Sequence, residues 1–216
     1  MSLKEFLLDF FFKKVPTNRG EADSSCSCSN NRCSGSSDIE GVTGDLPPIA
    51  RMRPGGVYKI TNYGLDMEDI DISVSRRNMY SEDNFCWFEL QGDASNGKQV
   101  FLEIDMDDDV ILDVSINRDL KLNELHLSKT DLYRMKEQRQ GRINYMDLLF
   151  EFDTSGTATF YRDAELDYGR DFSYVDFYNN EKKLTISVRL YEDSSEKIIL
   201  SQNLRSDQIG VLSEGK

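Results

Sequence analysis

Residues 84–116 read NFCWFELQGDASNGKQVFLEIDMDDDVILDVSI. Three apolar and aromatic runs, 85–90, 100–104 and 110–116, alternate with polar, turn-forming segments at 91–97 and 105–109. Aromatic and β-branched runs punctuated by Gly, Asn, Asp and Ser are the pattern of consecutive antiparallel strands. The stretch predicts a β-meander, with the chain's only tryptophan, Trp87, buried in its first strand.

The same punctuation recurs outward from there. Pro54, Gly55 and Gly56 predict a turn before a strand over 57–61, and 62–68 reads as a loop. Ile70, Ile72 and Val74 alternate with Asp71, Ser73 and Ser75, the period of a half-buried strand. Beyond the meander, Leu120, Leu122, Leu125 and Leu127 alternate again, and Ser128 or Thr130 caps a short helix to about Arg139, ended by Gly141. Strands are then expected at 145–152, 157–162, 172–178, 184–191 and 197–202, with turns at 153–156, 168–170, 179–181 and 192–195. The fold class is mainly β, an antiparallel meander or barrel-like body over 46–213. FSYVDFY (172–178) followed by LTISVRL (184–190) echoes FCWFEL followed by VFLEI, which suggests two related β units in halves 46–127 and 143–213. Consecutive hairpins resemble one another in any case, so the echo alone does not decide for duplication.

The first 45 residues have another character. At about 100° per residue, Glu5, Asp9 and Lys13 share one narrow stripe of a helix over 1–15, which Pro16 ends. Leu3, Phe6, Leu7, Leu8, Phe10, Phe11 and Phe12 fill most of the remaining arc. Such an amphipathic face needs a receiver: the β body, a protein partner or a bilayer, with Leu3, Phe6, Leu7, Phe10 and Phe11 as the contact residues. Residues 16–45, rich in Ser, Asn, Gly and Asp and free of aromatics, read as a disordered tether. Cys26, Cys28 and Cys33 lie within it. Their spacing suits a soft metal, but tetrahedral zinc needs a fourth ligand and none is close in sequence, so neither metal nor cofactor is expected.

With 26 basic against 39 acidic residues the net charge is −13, a field that repels phosphate backbones and argues against nucleic acid. The same field repels an anionic bilayer except where a local segment overrides it. No run reaches the roughly 18–20 apolar residues of a membrane span. Glu5 and Asp9 interrupt what would be a signal peptide. A cytoplasmic location is expected, with residues 1–14 able to hold the protein against the inner face of the membrane. Three cysteines in a tether and Cys86 beside Trp87 do not make the disulfide framework of a small secreted fold.

Trp87, Glu89 and Leu90, the VFLEID that follows, the later FSYVDFY and LTISVRLYED, and the closing Ile209, Gly210, Val211 and Leu212 together resemble the bacterial family known as domain of unknown function 4178. Leu190 and Tyr191 stand where that family usually has an aromatic. The resemblance covers about 48–212 and rests on aromatic and aliphatic core positions. It implies a bacterial, β-rich protein and carries over no catalytic residue.

Chemistry-bearing motifs are sparse. Counting from Asp105, the sixth and twelfth places of a calcium loop hold Val110 and Ile116, which excludes an EF-hand; Asp105, Asp107, Asp108 and Asp109 read as a solvated hairpin turn. His126, the only histidine, sits among alternating leucines as an outward-facing strand residue rather than a general base. No glycine-rich phosphate loop is present. The leading expectation is a non-catalytic interaction or scaffold module with an unknown protein partner, working at the membrane surface. The alternative is a small-ligand binder or carboxylate-dependent hydrolase in a β cleft. A deep polar pocket with strongly shifted carboxylates would favour the alternative, and a flat aromatic patch the first.

Overall fold

The computed structural model describes residues 47–61, 69–83, 85–107 and 110–216. The amphipathic segment with Leu3, Phe6, Leu7, Phe10 and Phe11, the cysteines Cys26, Cys28 and Cys33, and the loop at 62–68 lie outside these residues.

Within them the alternating runs become strands β1 (Val57–Ile60), β2 (Ile70–Glu82), β3 (Phe85–Ala94), β4 (Gln99–Asp107) and β5 (Val110–Leu120). Helix α1 (Lys129–Gln138) follows. Then come β6 (Arg142–Tyr145), β7 (Leu148–Tyr161), β8 (Gly169–Asn179), β9 (Leu184–Tyr191), β10 (Glu196–Leu204) and β11 (Ile209–Ser213). The strand order is β11-β1-β2-β3-β4-β5-β10-β9-β8-β7-β6, and all neighbours are antiparallel. A further pairing, Met79 with Tyr161, Tyr80 with Phe160 and Ser81 with Thr159, joins β2 to β7 and closes the strands from β2 to β7 into a ring.

Strand length makes this closure possible. β2 has 13 residues and β7 has 14. The first part of each pairs with a short strand, β1 or β6, and the last part with the other long strand. Both carry a bulge, between Val74 and Arg76 and between Phe152 and Thr154, where added twist redirects the strand from one partner to the next. The turn expected at 153–156 is this second bulge, so 145–152 and 157–162 are not two separate strands. The reversal falls earlier, at Met146 and Asp147, whose φ angles of 54° and 59° fit a tight hairpin turn.

Other expectations shift for local reasons. Residues 91–94 remain in β3 and 105–107 in β4, because cross-strand pairing extends past the apolar runs. Residues 120–127 are not a strand: β5 ends at Leu120, a 3-10 turn spans Leu122–Glu124, and His126 is exposed with φ 53°. The helix expectation holds. Ser128 caps it, its hydroxyl accepting from the Asp131 N–H at 3.2 Å while the Asp131 carboxylate accepts from the Ser128 N–H at 3.0 Å.

The outward face of the ring is apolar. On the first half Leu90, Leu102, Ile104, Val114 and Ile116 pack with Tyr58 and Ile60 of β1 and Ile72 and Val74 of β2. On the second half Val175, Phe177, Ile186, Val188 and Leu200 pack with Ile143 of β6, Phe150 of β7 and Leu132 of α1. Each fully buried side chain of this size contributes about 1.5–3 kcal/mol. Because successive residues of a strand face opposite ways, their neighbours Glu89, Glu103, Asp105, Asp176 and Arg189 point into the ring.

Candidate functional site

Contacts between strands that are not neighbours identify the inner face. Arg189 on β9 reaches Glu103 on β4, its Nη2 donating to Oε1 at 2.9 Å and to Oε2 at 3.0 Å. Lys197 on β10 reaches Glu89 on β3 at 3.2 Å. Glu89 also accepts from Asn78 Nδ2 at 3.0 Å and from the Tyr80 hydroxyl at 3.2 Å. Asn117 donates to Glu103. Arg189 and Glu89 are 4% and 2% exposed, so each charge is held by its partners rather than by water.

Near the seam between β2 and β7 this network is sealed by aromatic rings. Tyr80 stacks on Trp87 at 5.2 Å between centroids, with Phe160 and Phe172 also against it. Trp87 is 8% exposed, as its place in the first meander strand predicts. The Arg189 guanidinium lies over the Tyr80 ring, 4.5 Å from its centroid. Burial pushes Glu89 towards its neutral form, but Lys197, Arg189 and the Asn78 hydrogen bond outweigh it and hold the carboxyl below its ordinary range.

Toward the β4–β5 hairpin the acids lack such partners. Burial, with Glu103 and Asp113 nearby, pushes Asp105 up to about 7. Burial likewise pushes Asp176 up to about 6, against a Ser187 hydrogen bond and Arg189. Asp113, exposed and accepting from Asn203 at 3.0 Å, is also raised by burial. Asp105 is therefore not the solvated turn residue that its acidic neighbours suggested. Two buried atoms of the inner face have no hydrogen-bond partner: Nη1 of Arg189 and Oδ1 of Asp176.

Among the described residues no three His, Cys, Asp or Glu side chains converge closely enough to hold a metal ion. Two open clefts lie elsewhere. One of about 740 Å³ is edged by Arg134, Arg139 and Arg142 at the end of α1, and one of about 660 Å³ by Glu82, Tyr133, Asp171 and Tyr191. Neither is lined by Asp105, Asp176 or Arg189, and in the first Arg134 and Arg142 are already paired with Asp131 and Glu151. Among the described residues the exposed large apolar ones, Tyr133, Leu149, Leu166, Tyr168 and Leu212, are spread over several elements, not gathered on one strand or helix. His126 takes no part in the inner network.

Sequence reading singled out none of Glu103, Asp176 or Arg189. The available signal was a charged residue inside an otherwise apolar strand, as in VFLEI, YVDFY and SVRLY, where one face is already apolar.

No helix among the described residues is long and apolar enough to cross a membrane. No curated protein and no solved structure matches the chain. A family model, Domain of unknown function (DUF4178), matches residues 64–199, which reaches from before β2 into β10 and leaves out the closing Ile209 to Leu212 motif. Most of the ring, together with Glu89, Glu103, Asp105, Asp176 and Arg189 of the inner face, falls within that match, and the chain belongs to this family.

Proposed function

We propose that the protein is a non-catalytic binding module that holds a small polar ligand on the inner face of the ring, beside Asp105, Asp176 and Arg189. One observation carries this reading: on the inner face a donor, Arg189 Nη1, and an acceptor, Asp176 Oδ1, have neither a hydrogen-bond partner nor contact with solvent, so a ligand would meet them as the ring opens around it. Each unsatisfied group costs about 1–3 kcal/mol, and native proteins keep such groups chiefly where something else answers them. The raised Asp105 and Asp176 support the same site. A thermal-shift screen of small polar compounds against the full chain, repeated with Asp176→Asn, tests it. The expected result is stabilisation by at least one compound and its loss in the variant; a screen in which no compound shifts the wild type would sink it.

The apolar segment at 1–14 supports attachment to a membrane surface or a protein partner, with the body displayed in the cytoplasm. Flotation with anionic liposomes should be lost on deleting residues 1–46. Equal flotation of both forms would end the membrane version. The shared order of five strands in β1–β5 and β6–β10 supports descent from one duplicated β unit.

A further inference from the structure

Away from the inner face, we propose a second site: the open cleft at the end of α1 takes a small phosphate monoester, its phosphate held among Arg134, Arg139 and Arg142. Residues 129–142 hold five basic residues against two acids, in a chain whose net charge is −13. The fold gathers these cations. The Gln140 N–H donates to the Met135 carbonyl at 3.2 Å and the Phe152 N–H to the Gly141 carbonyl at 3.0 Å, so the chain passes directly from the helix into the β6–β7 hairpin. A Cβ at position 141 would lie 2.7 Å from Met135 Cγ, a clash that glycine avoids, and the turn packs closely on the end of α1. Arg134 and Arg139 after it thereby edge, with Arg142 of β6, one cleft of about 740 Å³, which Met135 and Phe152 also line.

The arginines are loosely held. Arg134 gives one nitrogen to Asp131, whose carboxylate also accepts from the N–H and hydroxyl of Ser128. Arg142 gives one nitrogen to Glu151 across the β6–β7 pair. The side chains of Arg134 and Arg142 are 57% and 70% exposed, and ion pairs so exposed contribute little. Among the described residues Arg139 pairs with no acid. A ligand with several oxygens can therefore take N–H groups from all three. The charged residues lining the cleft are three arginines and one glutamate, which leaves two positive charges. The C-terminal end of α1 offsets roughly half a charge. A phosphate monoester, with about −1.5 to −2 near neutral pH and three acceptor oxygens, fits this surplus; a carboxylate or a sulfate ester, with one charge, leaves part of it unanswered. A long polyanion would meet the field of the whole acidic chain, whereas a small dianion senses chiefly charges within about 10 Å. Met135 and Phe152 offer the organic group an apolar wall.

The test is calorimetric titration of the full chain at pH 8 with phenyl phosphate and with phenyl sulfate, which has a similar shape and one charge fewer. Phenyl phosphate should bind roughly tenfold or more tightly, as an added charge-assisted hydrogen bond implies. The double variant Arg139→Gln, Arg142→Gln should lose that preference with its melting temperature unchanged, because both residues are exposed. Flotation with phosphatidylcholine vesicles, with and without phosphatidic acid, then identifies the source of the phosphate. Flotation on phosphatidic acid that the double variant loses assigns it to a lipid headgroup; flotation that the variant keeps, or none, assigns it to a soluble ester. Equal binding of the two phenyl esters, no saturable binding of phenyl phosphate, or a preference that survives in the double variant would overturn the site. None of these outcomes depends on the inner face, whose own variant is Asp176→Asn.

Discussion

The two sides of the ring interior are built from the same residue types and differ in how those residues are answered. At the β2–β7 seam every charge has a partner: Glu89 has Lys197, Asn78 and Tyr80, and the rings of Tyr80, Trp87 and Phe172 close over them. At the β4–β5 side Asp105 and Asp176 are pushed up towards neutrality, and Asp176 Oδ1 is unmatched. Arg189 stands between, answered on one nitrogen and not on the other. The difference separates a polar network that specifies the fold from one left available to a ligand.

Arg189→Met strikes that boundary hardest. It leaves Glu103 half-buried without its cation, and removing one partner of a buried pair costs about 3–5 kcal/mol. Chemical denaturation should show this loss, and Glu103→Gln in the same background should recover part of it. A change under about 1 kcal/mol would mean that the pair adds nothing to the fold. Next in size is the seam itself. Trp87→Ala removes a ring that packs on Tyr80 and Phe85, at a cost of about 3 kcal/mol. In the wild type the fluorescence of Trp87, the one tryptophan, should be that of a buried ring; a water-exposed maximum would contradict the seam's closure.

These two residues also mark how far sequence reaches. Trp87 was legible because aromatic content and period-2 alternation are local, and β9 runs over 184–191 as the pattern predicts. Residues 153–156 misled because a bulge uses the same glycine and polar residues as a turn; only pairing with β8 separates the two. Asp105 was misread for a related reason, its acidic neighbours masking an inward position set by strand parity. A barrel-like body was expected as a class, but which strands close the ring was beyond local reading. Tyr80 meets Phe160 and Arg189 meets Glu103 across long stretches of chain, and neither partner carries a mark naming the other.

The unanswered side predicts a pH dependence of definite sign. The folded pKa of Asp105, about 7, lies above the ordinary carboxylate value of about 4. Between those values the folded protein holds more protons than the unfolded chain, so stability falls as pH rises through that window and is level above it. Asp176, at about 6, adds to the fall over a narrower range. Glu89, held below its ordinary range, acts oppositely and only in more acidic solution, where its protonation costs stability. Asp105→Asn should therefore be more stable than wild type by on the order of 1–2 kcal/mol at pH 8, with the gap closing near pH 4. Melting curves from pH 4 to pH 8 read this directly. A wild type whose melting temperature does not decline over that range would show that Asp105 ionises freely.

The smallest effect serves as the control, because it lies outside the ring. Ser128 caps α1 by accepting from the Asp131 N–H, and the Asp131 carboxylate, drawn down by its hydrogen bonds to Ser128 and by Arg134, returns a bond to the Ser128 N–H. Ser128→Ala removes the hydroxyl at a cost of about 1 kcal/mol. The helix contributes Leu132 to the outer apolar cluster, so the loss should appear in global stability. It should not alter the slope of stability against pH between 5 and 8, because Asp131, held below its ordinary range, is ionised throughout it and neither Asp105 nor Asp176 is bonded to the cap. If Ser128→Ala does change that slope, the helix and the ring interior are coupled, and the slope can no longer be assigned to Asp105 and Asp176 alone. An unchanged slope, with the whole curve displaced downward, would leave the pH dependence to the inner face and make Asp105→Asn a clean measure of it.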